Sequence, residues 1–221
     1  MKRILLLASC VVSIAAIGCQ NDGSDRLGWF EDDQAEPAAS EGKDVASLVR
    51  GWPQASREAA QAMADKYGPP DEATPTMLVW HDSGDWDKSV VYNEEVDHNF
   101  PSPHKDVLEQ SIAFDASPES FDDLAKFDGS VVLERTKGEI SATCHKEEAN
   151  FLAINLANDV ATGQRSVEDA RAYLARAMRD FMQSGTVDPY MQGLQFRTVA
   201  AAQAGDPDQR ASVLAGAEPD R

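Results

Sequence analysis

Apolar residues recur every four positions at Ala55, Ala59, Met63 and Tyr67, which predicts an amphipathic helix. Pro53 suits its first turn, and Gly68-Pro69-Pro70 stops it. Met77–His81 and Lys88–Tyr92 read as paired strands around the turn Ser83-Gly84-Asp85. A proline-broken loop spans His98–His104, and Asp106–Phe114 reads as a third strand. Ser117-Pro118 opens a short helix whose Phe121 and Leu124 face the core. Val131–Thr136 and Glu139–Cys144 flank Lys137-Gly138 as a hairpin. Lys146–Ala161 is apolar over much of its circumference, so it is expected to be buried on more than one side. Its Asn150, Asn155, Asn158 and Asp159 then need partners, expected from neighbouring loops. Ser166–Gln183 starts with a capping pair, Ser166 and Asp169, and carries the stripe Val167, Ala170, Leu174, Ala177, Met178 and Phe181. Tyr190, Leu194 and Phe196 are expected to pack back on the domain, and from Thr198 the chain is small and polar. The order predicts an α+β domain over residues 45–197, a mostly antiparallel sheet of about five strands with four helices, and a disordered tail over 198–221.

The start of the chain follows a different rule. Lys2 and Arg3 precede an apolar run, Ile4–Ile17, too short for a stable membrane span. Small residues close it at Ala16-Ile17-Gly18-Cys19, and the whole reads as a signal peptide over 1–18. Ala16-Ile17-Gly18-Cys19 resembles the lipobox of bacterial lipoproteins, with Ala16 where that family usually has Leu. The resemblance implies that Cys19 is acylated and anchors the chain to a membrane. Gln20, in place of Asp, implies transfer to the outer membrane, with the domain on the periplasmic side. An ordinary secretory peptide cut before Cys19 would leave that thiol incidental. Residues 19–44 hold eight acids against two bases and no apolar period, and are expected to form a disordered acidic tether.

Charge narrows the partners. The formal net charge is −18, and loss of Lys2 and Arg3 with the signal takes it to −20. Such a surface repels nucleic acid, which requires clustered Lys and Arg. It also opposes lying flat on an anionic bilayer. Of three cysteines, Cys10 leaves with the signal and Cys19 is the acyl acceptor, so Cys144 has no disulfide partner within the chain.

Candidate chemistry is sparse. The segment Glu94-Glu95-Val96-Asp97-His98, with His104, offers imidazole and carboxylate donors suited to zinc, and His81 is the nearest third imidazole. A surface loop whose histidines cap turns explains the same residues. Cys144-His145 precedes a helix and offers a thiol beside a base, but Cys144 also reads as a small buried residue at a strand–helix junction. Glu134, Arg135 and Glu139 suggest acid–base work or a cross-strand ion pair. Trp80, Trp86, Tyr92 and Phe100 read as core or as an apolar groove. No dinucleotide, P-loop, nucleophile-elbow, HExxH or EF-hand pattern occurs, and no cofactor is expected.

The helix, its Gly68-Pro69-Pro70 break and the following hairpin, over Ala55–Tyr92, loosely resemble small outer-membrane lipoproteins that support barrel assembly. The sequence therefore reads as a lipid-anchored binding or assembly module with an envelope protein partner. The alternative is a metal-dependent hydrolase using His98 and His104.

Overall fold

A computed structural model describes residues 44–208. The signal segment, Cys19 and nearly all of the expected tether lie outside the described residues, as do residues 209–221. In chain order the helices are α1 (Val45–Leu48), α2 (Gln54–Tyr67), α3 (Phe121–Phe127), α4 (Glu147–Ala161), α5 (Val167–Ser184) and α6 (Ala201–Ala204). The strands are β1 (Glu72–Ala73), β2 (Met77–Ser83), β3 (Trp86–His98), β4 (His104–Ala113), β5 (Val131–Glu134) and β6 (Glu139–Cys144). Turns of 3-10 helix occupy Pro118–Ser120 and Pro189–Met191. The fold is α+β, with one six-stranded antiparallel sheet in the order β1-β2-β3-β4-β6-β5. The expected helices are α2, α3, α4 and α5; α1 and α6 are single turns. The sixth strand, β1, is a two-residue edge too short to leave a sequence signal.

β3 is much longer than its apolar stretch. It continues past Tyr92 to His98, so Glu94–His98 is strand rather than loop. The pairing explains why the alternation stops at Tyr92. Val91 faces Leu108, but Val96 faces Asp106, so extra β3 residues bulge between them. Beyond the bulge Asp97 pairs with Lys105 and His98 with His104, and polar residues carry the ladder.

Cross-strand register builds the core. Leu78, Val91, Leu108 and Cys144 form one row across β2, β3, β4 and β6; Ile112 and Ile140 continue it along β4 and β6. All are buried, and full burial of such a side chain contributes about 2 kcal/mol. One apolar cluster packs Val45, Val49, Trp52, Ala59, Ala60 and Met63 on Leu78, Trp80, Val91 and Leu108. A second packs α3, α4 and α5 on Ile112, Ile140, Ala142 and Cys144.

α4 is buried nearly all round, as its composition predicts. Asn155 Nδ2 donates to the carbonyls of Tyr190 and Gly193, and its Oδ1 accepts from the Gln195 amide. That pins the segment after α5, where Tyr190, Leu194 and Phe196 pack on the core. Asn150 instead turns to the sheet and donates to the Leu108 carbonyl and Gln110 Oε1.

The β5–β6 hairpin differs from its expected ion pairing. Glu134 and Glu139 stand opposite each other, and each takes another partner, Lys137 at 2.6 Å and Lys88 at 3.7 Å. Arg135 pairs with Asp206 and Asp208 beyond α6. Gly138 has φ +68°, and a Cβ there would come within 2.1 Å of the Ala204 carbonyl carbon. Glycine is thus required both by the turn and by the chain packed against it.

Candidate metal centre

Four strands converge where β3 and β4 meet the start of β5 and the end of β6. Because β4 alternates, His104, Asp106 and Leu108 project to one face. His98 is the direct partner of His104, with ring centroids 4.8 Å apart. Cys144, opposite Leu108, ends β6, and His145 follows it toward α4. Thr143 donates to the Ser130 carbonyl, which draws the α3–β5 turn, with Asp128 and Ser130, to the same place.

Asp106 is the hub, and only 6% exposed. Its Oδ2 accepts a hydrogen bond from Ser130 Oγ and lies 3.3 Å from His98 Nδ1. Its Oδ1 lies 3.1 Å from His104 Nε2, yet accepts no hydrogen bond. The two atoms are close but misaligned as donor and acceptor. Each imidazole is also held from behind: His104 Nδ1 donates to the Ser102 carbonyl at 2.8 Å, and His98 Nε2 lies 3.5 Å from Asp128 Oδ1. A carbonyl only accepts, so Ser102 requires the proton on His104 Nδ1 and turns Nε2 toward Asp106. Metal-ligating histidines carry this kind of outer support.

Arg171 of α5 stabilises the surroundings. Its guanidinium lies 3.7 Å from the Phe100 ring centroid and donates to the Phe127 carbonyl. It thereby joins the β3–β4 connection to the end of α3, next to Asp128.

With α4 beginning at Glu147, Cys144 ends β6 at the strand–helix junction, as expected. It is 7% exposed, so the reading as a buried small residue holds. Its sulfur nevertheless meets His145 Nδ1 at 3.6 Å. Ligand atoms of His98, His104 and Asp106 all lie within 4.8 Å of one another, and so do those of His104, Cys144 and His145. His104 belongs to both sets.

The electrostatics fit a cation's place. The Asp106 carboxylate beside it, and then Cys144, hold His104 up at about 10, against the opposing effect of burial. Burial works to raise the Cys144 thiol, but His104 and His145 outweigh it and bring it down to about 7. Burial raises Asp128, opposed by its bond from the Ser130 amide and by His98.

The other expected donors go elsewhere. His81 is exposed on β2, 2.7 Å from Glu72 Oε1. Glu95 accepts from the Ala55 amide, and Asp97 pairs with Lys105 at 2.6 Å. Trp80 and Trp86 are core, Trp86 stacking on Phe151. Asp106, Asp128 and Ser130 are the site residues that sequence reasoning missed. The spacing His104-Lys105-Asp106 was the available signal, since residues two apart on a strand share a face. No family model, curated protein or solved structure matches this chain.

Proposed function

We propose that the protein is a lipid-anchored envelope protein whose domain acts by binding a transition-metal ion at His98, His104 and Asp106. The anchor rests on the lipobox-like Ala16-Ile17-Gly18-Cys19. Among the described residues no helix is long and apolar enough to cross a membrane. One observation carries the metal reading: Asp106 Oδ1 is buried without a hydrogen bond although His104 Nε2 is 3.1 Å away. Two donors at that separation, each about 2.0–2.1 Å from one ion, subtend roughly 100° there, which suits tetrahedral or octahedral coordination. The cavity lined by His98 and His104, about 30 Å³, admits a water molecule rather than an organic substrate, and this favours binding over hydrolysis.

The test is metal analysis of the purified full-length chain, stripped with chelator and then equilibrated with zinc. One zinc per chain is expected, with a raised melting temperature, and each of His98→Ala, His104→Ala and Asp106→Ala should abolish both. A wild-type chain that retains no zinc and shows no thermal shift would sink the reading. The anchor is tested separately: labelled palmitate should enter the wild-type chain and not Cys19→Ala.

A further inference from the structure

We infer that the centre has a soft end. Cys144 supplies a thiolate ligand and His145 a third imidazole, so the ion is thiophilic, zinc or cuprous copper rather than manganese or magnesium. This inference rests on the metal reading above and adds the class of ion.

Three observations lead here. First, His104 is common to both donor sets, so the Cys144 thiol and the Asp106 carboxylate each come within 4.8 Å of a His104 ligand atom. Second, Asn150 lines the same small cavity as Cys144, His98 and His104, and its fully buried Oδ1 accepts no hydrogen bond. An orphaned oxygen on a residue lining this cavity leaves a place for an occupant that brings a positive charge or a proton. Third, His145 also borders a larger cleft of about 380 Å³ between α2 and the start of α4. It therefore connects the buried thiol to a space wide enough for a hydrated ion to approach. Hard ions prefer all-oxygen sites, whereas thiolate and imidazole favour zinc and copper. On binding, a metal–sulfur bond forms, the Cys144 S–H bond breaks, and its proton leaves to solvent; nothing is oxidised or reduced.

Cobalt(II) added to the reduced, metal-free full-length chain is the probe. The wild type should show a thiolate-to-cobalt charge-transfer band saturating at one ion per chain. Cys144→Ser should lose that band, keep the weaker ligand-field bands, and bind cuprous ion about 100-fold or more weakly in competition with a chromophoric chelator. Should that variant fail to fold, the wild type suffices: zinc should slow alkylation of Cys144, read by peptide mapping, by about tenfold or more. Ligand-field bands without charge transfer, or alkylation of Cys144 unaffected by zinc, would overturn the soft end while the His98–His104–Asp106 site stands. Absence of any cobalt or zinc binding would overturn both.

Discussion

Two carboxylates of this fold are partnered in opposite ways. Glu147, at the start of α4, sits where the two apolar clusters meet. Its Oε1 accepts from Tyr67 Oη at 2.6 Å, Trp86 Nε1 at 2.9 Å and Gln110 Nε2 at 3.4 Å, and its Oε2 pairs with Lys66. Those donors come from α2, β3 and β4, and each has a proton to give. Asp106 is instead ringed by two imidazoles, which can donate a proton or a lone pair, and one of its oxygens is left over. A carboxylate saturated with obligate donors ties elements together. One facing groups that can also ligate leaves room for a cation.

The sharpest way to break this contrast is to truncate both. Glu147→Ala strands the Trp86, Tyr67 and Gln110 donors beside the core and should cost about 3 kcal/mol in urea unfolding. The same variant should still take up one zinc with an affinity within a few-fold of wild type. Asp106→Asn should do the reverse: lose about 100-fold or more in zinc affinity, while its metal-free unfolding midpoint falls less than that of Glu147→Ala. If Glu147→Ala weakens zinc as much as Asp106→Asn does, the two carboxylates are not separate in role.

The contrast also explains what could be read from the chain. Helices α2, α4 and α5 carry strong periods because their buried faces are apolar, and their predicted limits agree with the structure to within about two residues. The distal half of β3 carries no such signal. Past the bulge its partners are Asp106, Lys105 and His104, and polar residues on both strands leave no alternation in hydropathy. The site was half legible for the same reason. His98 and His104 stand out by residue type, and Cys144-His145 by adjacency. Asp106 and Asp128 were hidden because acids are abundant in this chain, and only tertiary register distinguishes these two. His81 stood out as the nearest third imidazole, but the register sets it opposite Lys88 on β3 and its ring turns to Glu72.

A smaller effect tests the support behind His98. Asp128→Asn keeps the shape of the side chain but removes the charge 3.5 Å from His98 Nε2. Zinc affinity should fall roughly tenfold with stoichiometry unchanged, as expected when an outer partner rather than a ligand is altered. Calorimetric titration reads both quantities. Loss of stoichiometry would make Asp128 a ligand and move the ion toward the α3–β5 turn.

The smallest expected effect lies at Glu147, where the charge itself can be separated from the hydrogen bonds. Burial, and then the bond to Glu147, push the Tyr67 hydroxyl up from 10.0 to about 12. The folded state therefore favours the protonated phenol more than the unfolded chain does. Its contribution to stability is complete below pH 10 and is lost as pH rises through the folded value near 12. Glu147→Gln retains an acceptor oxygen for Tyr67 and removes the anion. In that variant the Tyr67 ionisation, isolated as the ultraviolet difference from the matching Tyr67→Phe chain, should shift downward but stay above 10, because burial is the larger cause. An unchanged titration would mean that the Glu147 charge is already neutralised by Lys66, and that its hydrogen bonds alone hold the two halves of the core together.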